Sequence, residues 1–235
     1  AMFTRDLVDG LRYVQRNSGL RALVTISSFG SFFTAPILVL LPFYVKNFLL
    51  FGGAWERWYS FILAAFSVGT ILGFVLVGVL SLSGRRRARA ISAVMVVDAL
   101  SYCALALVDR PVAALALALL AGCTGGFLTI NITTLVQLTT PRELRGRVFG
   151  LLSTVAGSLT PIAMGLAGVV ADLTGQNIPL IYLVSGGVLL LLAVVIAANR
   201  NIRGFLAYEE PIAPLDAVGS AATSDVEPVP PSHSD

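Results

Sequence analysis

Six long apolar stretches, each about the length of a bilayer-crossing helix, leave this 235-residue chain very few folds. They run over 20–45, 58–82, 90–108, 112–138, 148–171 and 180–198. A helix needs roughly 20 residues to cross about 30 Å of hydrocarbon. In lipid the backbone must satisfy its own polar groups, which a helix does within one segment. In the interiors of the stretches only Asp98 carries a formal charge. The expected fold class is therefore an all-α membrane protein with six transmembrane helices.

The basic residues alternate between loops. Thirteen arginines fall before the first stretch or at its start, in the second-to-third and fourth-to-fifth loops, and at the exit of the sixth. The opposite loops hold only Lys46, Arg57 and Arg110. Basic loop residues stay cytoplasmic, so both termini are expected there. The net charge of +3 and a pI near 9.1 would suggest nucleic acid in a soluble protein. Here the arginines sit at helix ends, where orientation and anionic headgroups account for them, and no nucleic-acid partner is expected.

Composition narrows the chemistry further. The chain is 56% hydrophobic and 12% charged, against about 25% charged in ordinary soluble domains. Its one histidine, His233, lies near the end of the chain, which removes histidine metal clusters and histidine-based triads. No metal or cofactor is expected. Cys103 and Cys123 lie inside apolar stretches and read as small buried residues. There is no G-x-x-x-x-G-K-[ST] phosphate loop. The opening residues lack the pattern of a cleaved signal peptide.

The two ends differ from the middle. Leu7, Leu11 and Val14 share one helical face among charged residues, so residues 1–19 are expected to hold an amphipathic linker helix on the cytoplasmic surface. Residues 204–235 turn acidic and rich in Pro, Ala and Ser, a composition too poor in apolar side chains to fold alone. They are expected to form a disordered cytoplasmic tail. Between the fourth and fifth stretches, Thr140-Pro141 followed by Glu143 predicts a capping box opening the fifth helix.

Three runs, TTLVQLTTPRELRGRVFGLLST (133–154), DLVDGLRYVQRNSGL (6–20) and APILVLLPFYV (35–45), resemble the carboxyl-terminal half of a major facilitator superfamily exporter. In particular they are similar to the bacterial group of macrolide-efflux and enterobactin-export proteins. The resemblance covers about residues 3–203. It implies one half of a two-half fold, built from two inverted three-helix repeats around a central cavity. It also implies an amino-terminal six-helix half as partner, on the same polypeptide or another, and a bacterial plasma membrane. The superfamily's signature loop is matched by Gly78, Gly84, Arg85, Arg86 and Arg87 in GVLSLSGRRR. The spacing is one residue short and the acidic position is lost near Ser81 and Leu82, which puts the family's charge latch in doubt. A second echo, Gly168 with Asp172 and Gly175, closes the fifth stretch, and packing is the simpler role for its glycines, as for Gly69 and Gly73.

Transport chemistry belongs on polar faces that lipid would not tolerate. Thr124, Phe127, Asn131 and Thr134 recur on one face of the fourth helix. Span one sets Ser27, Ser31 and Thr34 beside Phe29, Phe32 and Phe33, with Pro36 and Pro42 interrupting the backbone ladder. Span five adds Ser153, Gly157 and Thr160. The candidate substrate contacts are Phe29, Ser31, Phe33, Asn131 and Thr134, with Asn131 opposite the two aromatics. Interhelical hydrogen bonding is the competing role for each hydroxyl and amide.

Asp98 is a candidate for proton coupling, because an intramembrane carboxylate is costly to keep without a use. By resemblance the third helix is a peripheral support, which argues for a simple pairing with a neighbouring hydroxyl. The expected function is ion-gradient-driven export of amphipathic small molecules of drug, macrolide or siderophore type, with the lipid bilayer as the other partner. Two alternatives stand beside it: the membrane domain of an ATP-driven transporter, and a non-transporting intramembrane protein. A chain with one buried acid offers little to an enzyme mechanism. Without an opposite half the polar faces of spans one, four and five would meet lipid, and Ala1 ahead of Met2 looks like an excised boundary. Residues 1–235 are therefore expected to be a carboxyl-terminal portion, or a naturally short chain that pairs with another half, and not to transport as a monomer.

Overall fold

The computed structural model describes residues 11–49 and 54–207, all in helices and short connections. The first helix, α1, is described over 11–16. It is followed by α2 (Ser18–Val39), α3 (Leu41–Asn47), α4 (Trp55–Leu80), α5 (Gly84–Leu105), α6 (Pro111–Thr139), α7 (Arg142–Leu173), α8 (Ile178–Ala198) and α9 (Arg200–Leu206). Six helical segments are long and apolar enough to cross a membrane, with α2 and α3 together forming the first. Residues 1–10 and 208–235, which carry much of the expected linker helix and tail, lie outside the described residues.

Local chemistry explains where the helices begin and end. Asn17 caps α2 by accepting a hydrogen bond from the Leu20 amide at 3.1 Å, and Asn177 caps α8 by accepting from Leu180 at 3.3 Å. Span one is interrupted at Leu40, between Pro36 inside α2 and Pro42 in the first turn of α3. Proline lacks an amide proton and breaks the ladder there. The third and fifth helices start at Gly84 and Arg142, before the apolar stretches at 90 and 148, because arginine is a good helix former and carries the helix through the headgroup layer. The boundary expected at 204 falls inside α9.

The capping box at the start of α7 does not form. Pro141 has an extended backbone and occupies the N-cap position without a side-chain bond. Thr140 is thereby one residue outside the helix, and its hydroxyl is buried with no hydrogen-bond partner among the described residues. Arg145 takes over the junction by donating from Nε to the Thr140 carbonyl at 3.1 Å.

The principal helix pairs carry a symmetry. Span two pairs with span four (α4 with α6), span one with span five (α2 with α7), and span three with span six (α5 with α8). Span three also packs on span four, and span six on span one. Exchanging spans 1-2-3 for 4-5-6 turns the first pair into the second and the fourth into the fifth, and maps the third onto itself. Three spans are an odd number, so the second triplet runs inverted through the membrane. Two inverted three-helix repeats make one half of a major facilitator fold.

The α4–α6 pair is closed by glycines on both partners. A Cβ at Gly69 would strike the Leu119 carbonyl, one at Gly73 the Cys123 carbonyl, and one at Gly122 or Gly126 the carbonyl of Phe66 or Thr70. Without a hydrophobic force between helices in lipid, such close backbone approach is what holds them. The symmetry-related α2–α7 pair lacks this device, since a Cβ at Gly30 or Gly157 meets nothing within 4 Å. Packing explains Gly69 and Gly73 as expected, but not Gly78 or Gly168, which also face open space.

The arginine-rich segments gather at one end. Tyr13 Oη donates to the Thr139 carbonyl at 3.3 Å, joining α1 to the α6–α7 connection. Arg87 Nε reaches the Leu206 carbonyl at 3.4 Å, joining the start of α5 to α9. Gly19 lies against the Phe205 ring. At the other end the single Tyr44 hydroxyl proton is shared between the carbonyls of Leu105 and Val108, 2.6 and 2.8 Å away, and Tyr182 donates to that of Ile37 at 2.8 Å. The two tyrosine rings stand 5.1 Å apart in the hydrophobic cluster at the end away from the arginines.

Candidate functional site

A half-open cavity of about 510 Å³ is lined by α2, α4, α5, α6 and α8. It occupies the space left where α2 and α6 touch only sparsely. Its wall carries Ser27, Ser31 and Thr34 from α2, Thr70 from α4, Asp98 and Tyr102 from α5, and Thr129 and Thr133 from α6. On α5, Asp98 stands between Ile91 of the hydrophobic cluster at the arginine-rich end and Ala99 and Tyr102 of the cluster at the other end. Seven hydroxyls and one carboxylate thus share a space between two apolar layers.

α5 packs against α8, and Asp98 on it pairs with a neighbouring hydroxyl, that of Thr124, as expected for a support helix. The Asp98 side chain also lines the cavity. Thr124 Oγ1 lies 2.5 Å from Asp98 Oδ1, and also 3.1 and 3.0 Å from the carbonyls of Leu120 and Ala121. One hydroxyl proton cannot serve three acceptors at once. With Asp98 ionised, Thr124 donates to it; with Asp98 protonated, the carboxyl donates to Thr124 and the threonine proton turns to its own helix. Both states are satisfied by a rotation of one hydroxyl. No arginine, lysine or histidine lines the cavity among the described residues. Ser27 Oγ, on the same wall, is buried without a hydrogen-bond partner among the described residues, and the Tyr102 hydroxyl faces Thr34.

The residues expected to contact substrate are divided among several surfaces. Ser31 lines the Asp98 cavity. Phe29 is 52% exposed and stacks on Phe33 at 6.4 Å between ring centroids, while Phe33 also meets Phe32 edge-on at 5.3 Å. Phe33 continues into an apolar groove of about 330 Å³ between α2, α7 and α8. Asn131 and Thr134 do not stand opposite these rings. They line a separate small pocket of about 170 Å³ with Phe127, Arg87 and the α4–α5 connection.

The stripe of Thr124, Phe127 and Asn131 proves to be an inward packing face, with exposures of 6, 2 and 3%. The Asn131 amide donates to its own helix at the Phe127 carbonyl, 2.9 Å away. The face of α6 that meets the cavity is the next one round: Gly125, Thr129 and Thr133, spaced i, i+4, i+8. That spacing was available in the sequence, as was Asp98 with Tyr102 at i+4, but the choice between two hydroxylated faces of one helix needed its partners. In the signature loop Ser81 and Gly84 both take positive φ, 40° and 48°, which folds the connection into three residues, 81–83. Arg85 and Arg86 are exposed and Arg87 is buried.

Six apolar crossings, paired as two inverted triplets around a polar cleft, define half of a major facilitator transporter. The family model for transmembrane secretion effectors matches residues 1–219, and the chain belongs to that family of the major facilitator superfamily. It is similar to the protein described as multidrug efflux pump Tap of Mycolicibacterium fortuitum, at 30% identity over 172 residues. That match takes in 73% of this chain and 41% of the pump, so the chain spans less than half the length of the relative.

Proposed function

We propose that this chain forms the carboxyl-terminal half of a secondary exporter of amphipathic small molecules, working across a bacterial plasma membrane with the arginine-rich end in the cytoplasm. The observation that carries the reading is the cleft between α2 and α6, which brings a carboxylate and a row of hydroxyls into one space. The description of a relative as a multidrug efflux pump supports the same direction. Phe29 and Phe33 supply aromatic surface for an apolar ligand, and Ser31 and Thr133 orient its polar groups. An amino-terminal half closes the cleft from the opposite side.

Asp98 carries the coupling proton in this scheme. The carboxylate takes a proton from one side of the membrane and releases it to the other, and Thr124 reorients between the two states. No other group need move to keep hydrogen bonds satisfied. Asn131 and Thr134 hold the junction between α6 and the signature loop, next to Arg87, and leave the substrate to the neighbouring face. Gradient coupling is favoured over ATP because the 81–83 and 140–141 connections are too short to reach a nucleotide-binding partner.

Site-directed labelling tests the location. In the complete transporter lacking Cys103 and Cys123, maleimide labelling of S31C and T133C is expected to slow when a fluorescent lipophilic cation such as ethidium is bound. Labelling of N131C is expected to be unaffected by it. Protection at Asn131 with none at Ser31 and Thr133 would move the site to the other face of α6.

A further inference from the structure

We propose that the arginine pocket between the start of α5 and α9 is a binding site for the phosphate headgroup of an anionic phospholipid. Arg85 and Arg89, one turn apart on α5, and Arg200 and Arg203 on α9 line one recess of about 570 Å³, completed by Ala88, Gly204 and Ala207. No carboxylate lines it among the described residues. Four guanidiniums brought together repel one another, and a phosphodiester accepts the paired N–H donors that each presents.

The fold builds this convergence instead of avoiding it. Buried Arg87 reaches across to the Leu206 carbonyl, and Leu206 belongs to the hydrophobic cluster at the arginine-rich end. Phe205 rests on Gly19, where a Cβ would collide with the ring. Asn199 accepts from the Ile202 amide at 3.3 Å and starts α9. These contacts fix α9 beside the basic face of α5. Orientation in the membrane needs arginines at this end, but it does not need them aimed into one recess.

A lipid fits better than a soluble anion because the helices that carry these arginines go on into exposed apolar surface. The face of α5 that begins with Arg85 and Arg89 goes on at helical spacing through Ala93, Val97 and Leu100, all exposed. On α8 the exposed Leu191, Val194 and Val195 lead toward Arg200. Acyl chains lie along these surfaces while the headgroup meets the arginines at the boundary.

Thermal unfolding of the complete transporter in a neutral detergent tests the site, with phosphatidylglycerol, phosphatidylcholine or inorganic phosphate added. Phosphatidylglycerol is expected to raise Tm in a salt-sensitive way, and phosphatidylcholine and inorganic phosphate to leave it unchanged. The R85Q/R203Q variant should need about tenfold more phosphatidylglycerol for the same rise. The charge-matched R12Q/R16Q variant should respond as the parent does. Equal responses from both variants, an equal rise with phosphatidylcholine, or protection by inorganic phosphate alone would each overturn the proposal. Should R85Q/R203Q prove too unstable, loss of the phosphatidylglycerol effect in the parent at high salt decides it, and a salt-insensitive effect counts against.

Discussion

At the scale of single residues, Asp98 lines the polar cleft while Asn131 packs inward on its own helix. Asn131 is the most polar neutral group well inside a span, yet its amide is spent on its own helix beside Arg87. Asn131→Leu is therefore expected to cost about 1 kcal/mol of stability and to leave the substrate profile unchanged. A thermal melt together with an export panel checks this, and altered selectivity would return Asn131 to the site. Asp98 was legible as an oddity from its charge alone. Its access to the cleft was not, because it depends on how α2 and α6 part. Thr124→Val removes the hydroxyl that serves Asp98 in either protonation state, and is expected to slow gradient-driven export while leaving substrate binding near that of the parent. A binding titration beside a flux assay separates the two, and equal losses in both would make Thr124 a packing residue.

At the scale of helices, the apolar stretches located the spans, while the ends and faces followed other rules. Hydropathy sees only the part of a helix inside hydrocarbon, so it placed α5 and α7 six residues late, past arginines that are helical. The Thr140-Pro141-Glu143 pattern suggested a cap, but the extended Pro141 pushed the threonine outside the helix. Glycine spacing was ambiguous in the sequence, since Gly69 and Gly73 look no different from Gly78 or Gly168. The backbones decide it. Gly126→Leu is expected to destroy the α4–α6 contact, because the new side chain would meet the Thr70 carbonyl, and overpacking of this kind costs about 1–3 kcal/mol or more. Gly157→Ala, on the loose symmetry-related pair, is expected to be tolerated. Yield and Tm of the two variants check the contrast, and similar behaviour would mean that the glycine interface does not set the packing.

At the scale of the whole molecule, the alternation of basic loops becomes a physical end of the bundle, where α1, the 81–83 connection, the 140–141 connection and α9 meet. By the positive-inside rule that end is expected on the cytoplasmic side. Single cysteines at Arg86 and Arg110 in a background without Cys103 and Cys123 test it. An impermeant thiol reagent on intact cells is expected to modify position 110 and spare position 86, and the reverse pattern would invert the molecule.

If the α2–α6 cleft works through the Asp98 carboxylate, flux in proteoliposomes depends on that group. The complete transporter and its Asp98→Asn variant are reconstituted side by side, with ethidium as the probe and an imposed pH gradient as the driving force. The variant is expected to keep substrate exchange at equilibrium and to lose accumulation against a concentration gradient, because its amide still fills the cavity but carries no exchangeable charge. Accumulation by Asp98→Asn at the rate of the parent would remove Asp98 from the coupling step.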